Sequence, residues 1–293
     1  MQRSDGTHLL PAEALPLAHA FLRGHSIQTE QGEVISGYDV SYGKTYIEAF
    51  PEYIHDKKGH KSKVDGIIGI LQELGLKPLP GSEVVVVGCG QGTHDEFLVR
   101  DYGLHVSGVD ISEEALALAR EKAAHAGLSI QYYYADATLD LPFVAGSKSA
   151  VFCIGTSWGM DPQDQRNQAT FAYIYTILQS EGVFVLDYVN GQKWRKLEGE
   201  RYKETTELAS GIIRIVEGEY YPDQTAQITR VTLKRPDQPP QFYYEYVKYY
   251  TLEKVLTMLE AVGFRIQKIF GDVEGHPFDP LISHQMVIVA TRQ

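Results

Sequence analysis

Val84-Val85-Val86-Val87-Gly88-Cys89-Gly90-Gln91-Gly92-Thr93-His94-Asp95-Glu96 runs from four apolar β-branched residues, through three glycines at alternate positions, into a segment rich in helix-opening residues. Uniform apolarity suits a strand covered on both faces, so Glu83 to Val87 is predicted as the central strand of a parallel sheet. The glycines allow a tight turn and a close backbone approach to a ligand. A nucleotide-like ligand is expected there, although such a turn also has a purely geometric explanation, and the surrounding residues must decide.

Those surroundings alternate short β-rich and helical runs from Glu83 to Ile154, which implies parallel strands with crossover helices on both faces. Ser112 before Glu113, Glu114, Leu116 and Ala119 reads as an N-cap with carboxylates at the positive end of a helix that Gly127 terminates. A helix from Pro162 to about Gln179 leads into a fifth strand, Val183 to Asp187. From Arg201 to Tyr250 the pattern becomes alternating, with turn residues at Pro222-Asp223 and at Pro236 to Pro240, and predicts about three antiparallel strands. Thr251 caps a helix to Val262, Gly263 stops it, and Phe264 to Phe270 and Met286 to Ala290 supply two last strands.

Asp110 ends the second strand at the spacing where a carboxylate accepts both ribose hydroxyl protons. Asp136 ends the third strand at the same sheet edge, in position to accept from an adenine amino group. A nicotinamide-dependent oxidoreductase is the enzymatic rival. The G-x-G-x-G spacing and the carboxylates Asp95 and Glu96 in the first helical turn weigh against a pyrophosphate site.

Taken together, Gly88, Gly90, Gly92, Asp110, Asp136 and Ala137 resemble the motifs of the class I S-adenosylmethionine (SAM)-dependent methyltransferases. The resemblance covers roughly Glu83 to Asn190, with Phe264 to Thr291 as the closing hairpin. It implies a doubly wound Rossmann-like α/β sheet of seven strands in the order 3-2-1-4-5-7-6, with SAM across the carboxyl ends of strands 1 to 4. It also implies S-adenosylhomocysteine as product. The small antiparallel β insertion after strand 5 is similar in its position to that of glycine and amino-sugar N-methyltransferases. One departure stands out: that family usually carries an acidic residue two positions before the first glycine, where this chain has Val86. The methionine amino group must then be anchored otherwise, through backbone carbonyls near Gly88 and Ile154 or a neighbouring carboxylate.

The residues expected to face the cofactor are Tyr38, Gly88, Cys89, Gly90, Gly92, Asp110, Ile111, Asp136, Ala137, Ile154 and Thr156. Ligands of such sheets bind outside the carboxyl ends of the strands, so Gly155 to Asp161 is the first choice for acceptor contacts, with Trp158 either touching the acceptor or merely packing. His276 and Asp279 follow strand 6 on the same side, and an imidazole there serves as a general base or belongs to a surface loop. Tyr38, Tyr42 and Tyr46 recur every four residues and form one stripe if helical, suited to sulfonium and ammonium cations. Tyr42, Trp158, Asp161 and His276 are therefore the expected catalytic or acceptor-facing set. His55, His60 and Lys57, Lys58, Lys61 and Lys63 are read as a solvated connection.

The chain is expected to divide into an N-terminal helical cap over 1–65, a SAM-binding core over 66–192, the insertion as a substrate lid over 193–250, and a closing segment over 251–293. The expected reaction is direct methyl displacement onto a nitrogen, or a sulfur or oxygen, of a small polar metabolite. C-methylation and a non-catalytic SAM-binding scaffold are the alternatives. Against 27 Lys and Arg stand 38 Asp and Glu, a net charge of -11 that disfavours nucleic acid and anionic membranes as partners. Pro11, Glu13, Pro16 and His19 interrupt the only stretch near the start with leader-like apolarity, and no run reaches the roughly 18 apolar residues of a membrane span. Cys89 and Cys153 are the only cysteines, which suits a reducing cytoplasm. The histidines lack metal-ligand spacing, so no metal is expected. A homodimer is compatible with the sequence.

Overall fold

The computed structural model describes residues 27–28, 34–35, 41–194 and 201–293. Two short strands, β1 (Ile27–Gln28) and β2 (Val34–Ile35), precede an irregular turn at Ser41–Thr45, the one-turn helices α1 (Tyr46–Ala49) and α2 (Pro51–Ile54), and the long α3 (Lys57–Glu73). Then come β3 (Glu83–Val87), α4 (Thr93–Tyr102), β4 (His105–Asp110), α5 (Glu113–His125), β5 (Gln131–Tyr134), β6 (Lys148–Cys153), α6 (Asp164–Ile177), β7 (Leu178–Val189) and α7 (Gly191–Trp194). The strands β8 (Arg201–Glu207), β9 (Ile213–Tyr221), β10 (Ala226–Lys234) and β11 (Gln241–Lys248) follow, and α8 (Leu252–Val262), β12 (Phe264–Phe270) and β13 (Gln285–Arg292) close the chain.

The four valines of β3 show why this strand is central. Val84 and Val86 point into one core, shared with Val64, Ile67 and Leu71 of α3 and Phe97 and Leu98 of α4. Val85 and Val87 point into the other, with Phe171 and Ile174 of α6 and Val255 and Leu259 of α8. A side-chain period of two places alternate residues in opposite layers, so the sheet is covered on both faces. Its order is β5-β4-β3-β6-β7-β13-β12, with β13 antiparallel to both neighbours, which is the expected 3-2-1-4-5-7-6 arrangement. The Ser112 side chain caps α5 by accepting from Ala115 N, Thr251 caps α8, and Gly263 ends α8 at a φ of 110°.

The second sheet has the order β1-β2-β11-β10-β9-β8. The insertion supplies four strands where the sequence predicted about three. The additional one, β8, is a largely exposed edge of sequence RYKETTE, so it carries no apolar alternation to read. The predicted helical character of the N-terminal segment is also corrected in part. Its described backbone includes β1 and β2, and Tyr42 lies in a turn broken by the non-helical Gly43, ahead of the four-residue α1.

Arg214 of β9 donates to the Ala49 carbonyl at 2.7 Å, and Lys248 N at the end of β11 donates to Gly159 O at 2.8 Å. The second sheet is thus fastened to the N-terminal helices and to the loop that leaves β6.

Candidate active site

A cleft of about 260 Å³ opens at the carboxyl ends of β3, β4, β5 and β6. Its floor is Val87 to Gln91, Val109 to Ile111, Ala135 to Thr138 and Ile154 to Asp161, and its other wall comes from Tyr42, Tyr46, Tyr53 and His60, with His94 of α4. Gly88, Cys89, Gly90, Asp110, Ile111, Asp136, Ala137, Ile154, Thr156, Tyr42, Trp158 and Asp161 of the expected residues all line it.

Asp110 organises the floor. One carboxylate oxygen accepts from Gly90 N and the other from Ser112 N, both at 2.8 Å, so the glycine turn and the start of α5 share one anchor. Burial raises its pKa, and the Ser112, Gly90 and Ile111 N–H groups oppose that shift. Gly90 sits at a φ of +53°, and a Cβ there would project into space with no atom within 4 Å. The cradle therefore has room for a ligand over Gly90.

Gly92 differs from this expectation. It does not line the cleft, and a Cβ on it would come 2.2 Å from the Tyr132 hydroxyl, so close packing under β5 accounts for this glycine. Cys89 is 7 % exposed with a thiol pushed well above its usual pKa by burial, as a packing residue rather than a nucleophile.

Three acceptor-side expectations also change. Trp158 is 3 % exposed, stacks on Phe171 at 4.4 Å and donates its indole N–H to Asn167 O, so it supports the loop from beneath. Asp161 is tied to Arg166 at 2.7 Å and accepts from Gln163 N. His276 stands on a surface turn, its ring 2.7 Å from Asp272, and is not among the residues lining the cleft. Tyr38 lies outside the described residues.

Sequence reasoning missed several groups because tertiary contacts place them. Arg166, from the first turn of α6, bridges Asp136 at 3.0 Å and Asp161. Asp136 also accepts from Thr138 N and Oγ1. His60 and Lys63, read as solvated, turn inward from α3: His60 is 5 % exposed and lines the cleft, and Lys63 pairs with the fully buried Asp187 at 2.9 Å. His60 and His94 approach to 3.2 Å between Nδ1 and Nε2. The three-residue spacing of His60 and Lys63, which places them on one face of α3, was the available signal. Thr156 adopts a φ of 61°, which is strained for a β-branched residue. Its N–H is held by Asp187 O.

The tyrosine wall has its own geometry. Tyr42 and Tyr46 stack with centroids 5.5 Å apart, and Tyr53 meets Tyr46 edge-on at 6.5 Å. On the second sheet Glu245 is pushed up to about 7 by burial, and burial first, with the Glu245 charge after it, holds the Tyr46 phenol well above its usual range.

Comparison with known proteins adds four findings. A family model described as a methyltransferase domain matches residues 84–182. A glycine/sarcosine N-methyltransferase of Aphanothece halophytica is 26 % identical over 247 residues, covering 83 % of this chain and 88 % of that protein. An S-adenosylmethionine-dependent methyltransferase from Clostridium acetobutylicum superposes with a TM-score of 0.71 at 15 % identity, over 84 % of this chain and 97 % of that one. SAM-bound CalS10, an amino pentose methyltransferase from Micromonospora echinaspora, superposes with a TM-score of 0.60 at 19 % identity, over 83 % and 96 % respectively.

Proposed function

We propose that this chain, a class I SAM-dependent methyltransferase with a small-molecule acceptor, methylates a nitrogen of a small polar amine. The observation that carries this reading is the wall of Tyr42, Tyr46 and Tyr53 across the cleft from the glycine turn. Aromatic faces attract cations, and an amine acceptor is a cation until it gives up its proton. The name of the A. halophytica relative, which spans most of the chain, points to the same class of acceptor.

SAM supplies an electrophilic methyl group on a sulfonium. Asp110 would hold the ribose through the lone pairs left after Gly90 N and Ser112 N are served. Asp136 and Ala137 would flank the adenine, Gly88, Cys89 and Gly90 would lie beneath the nucleoside, and Ile111, Ile154 and Thr156 would border it. Arg166 keeps Asp136 and Asp161 in place. Direct displacement requires alignment and exclusion of water, so no protein nucleophile takes part. The second sheet acts as a lid in this reading, and Tyr42 with the loop through Asp161 orients the acceptor. A cytoplasmic location and a homodimeric state belong to the same proposal.

The test is transfer from SAM to a panel of primary and secondary amines, thiols, hydroxyl compounds and carbon nucleophiles, read by mass spectrometry as the gain of one methyl group. Methylated amines are expected. Transfer confined to oxygen, sulfur or carbon acceptors overturns the nitrogen assignment.

A further inference from the structure

We infer that His94, locked into one tautomer by His60, is the hydrogen-bond acceptor for the α-ammonium of the cofactor, in the role that position 86 leaves vacant. The inference rests on the assignment of the cleft to SAM. Val86 is 1 % exposed inside the apolar core and offers no charge.

The tautomers follow from the partners. His60 Nε2 lies 2.9 Å from the Tyr53 carbonyl oxygen, which only accepts, so Nε2 carries the hydrogen. Burial lowers the pKa of His60 and keeps it neutral, so its Nδ1 is a lone pair. His94 Nε2, 3.2 Å from that lone pair, must then carry a hydrogen and donate it. His94 is itself neutral, pushed down to about 3, above all by burial, with the Lys63 charge acting in the same direction. Its single N–H is committed, which leaves Nδ1 as a lone pair to which no described protein group donates.

The topology gives this lone pair a ligand. Asp110 and Asp136, at the ends of β4 and β5, fix the nucleoside end of the cleft, and β3 and β6 are next in the sheet. An extended ligand continuing past the glycine turn reaches the wall where His60 and His94 stand, their rings edge-on at 5.0 Å. The cofactor's far end carries an α-ammonium, a donor that a neutral imidazole lone pair accepts and an imidazolium would repel. The acceptor amine is the other possible source of an ammonium, and the experiment separates the two.

Calorimetric titration of the full chain uses S-adenosylhomocysteine and its des-amino analogue, which keeps the carboxylate and lacks only the amine. The wild type should prefer S-adenosylhomocysteine by about ten-fold or more, the range of a hydrogen bond to a charged group. In His94→Phe the preference should fall to near unity while affinity for the des-amino compound is kept, with His94→Leu as the substitute if the phenylalanine variant is unfolded by circular dichroism. His94→Asn, whose Oδ1 stands near the former Nδ1, should recover part of the preference. His60→Phe, which frees the His94 tautomer without removing its ring, should give an intermediate loss. A folded His94→Phe or His94→Leu variant that keeps the full preference overturns the inference. So does an unchanged preference accompanied by a raised KM for the amine acceptor, which would assign the lone pair to that substrate. Failure of the wild type to bind either nucleoside would instead refute the SAM assignment.

Discussion

One oxygen of Asp187 accepts both the Lys63 ammonium, at 2.9 Å, and the Gly155 N–H, at 3.0 Å, and so joins α3 to the loop that leaves β6. Asp187 is fully buried, and breaking such a pair from one side strands the remaining charge. Asp187→Asn should lower stability by about 3 kcal/mol in urea unfolding. Pairing it with Lys63→Met should cost less than the two single changes added together, because the stranded ammonium is then gone. Additive losses would show that the contact contributes nothing as a pair.

Asp110 carries two duties that substitutions can separate. Asp110→Asn keeps one acceptor oxygen but loses the charge, and should weaken S-adenosylhomocysteine binding by roughly ten-fold, about 1.5 kcal/mol. Asp110→Ala should weaken it further, because Gly90 N and Ser112 N also lose their partners. Unchanged affinity of the alanine variant in titration calorimetry would remove Asp110 from the cofactor site.

The glycines of the turn should respond differently to the same added methyl group. At Gly90 a Cβ meets nothing in the protein, so Gly90→Ala should lose only about 1–2 kcal/mol from its left-handed backbone while impairing cofactor binding. At Gly92 the methyl would collide with Tyr132, so Gly92→Ala should lose more stability. Thermal melts alongside ligand titration make the comparison. Equal stability losses would contradict it.

Asp95 gives a dependence on pH. Its carboxyl is completely buried in α4, and burial, reinforced by the Asp110 charge, pushes its pKa up to about 8. In the unfolded chain an aspartate titrates near 3.9. Between those values the native state retains a proton that the unfolded state has released, so this group's contribution to stability falls as pH rises from about 4 to about 8. Asp95→Asn removes that dependence. The variant should gain in melting temperature relative to wild type between pH 5 and pH 8.5, and a constant difference across that interval would show that Asp95 does not titrate there.

The elements legible in the sequence are those whose causes are local. Four valines in a row, the Ser112 and Thr251 caps and the Gly263 stop each act over a few neighbouring residues, and all appear at the expected places. The glycine turn and Asp110 were legible for the same reason, being fixed by their distance along one βαβ unit. What the sequence hid depends on groups distant in the chain. His60 and Lys63 have the composition of a solvated helix until Asp187 and His94 come to meet them. Arg166 acquires its role only when the ends of β5 and β6 converge on α6. β8 is polar on both faces and becomes a strand because β9 offers it an open edge.

The parallel pairing of β2 with β11, Val34 beside Gln241 and Ile35 beside Phe242, sets an order of events during synthesis. A ribosome adds about 5–20 residues per second, so β2 exists for roughly 10–40 s before its partner strand has been made. Over that time β3 to β7 can assemble, because each neighbouring pair in that part of the sheet closes over a shorter stretch of chain. The second sheet is then completed late, by capture of an early segment, and a nascent chain halted before residue 241 should expose the open edge of β2, the one not paired with β1, to chaperones or to another copy of itself.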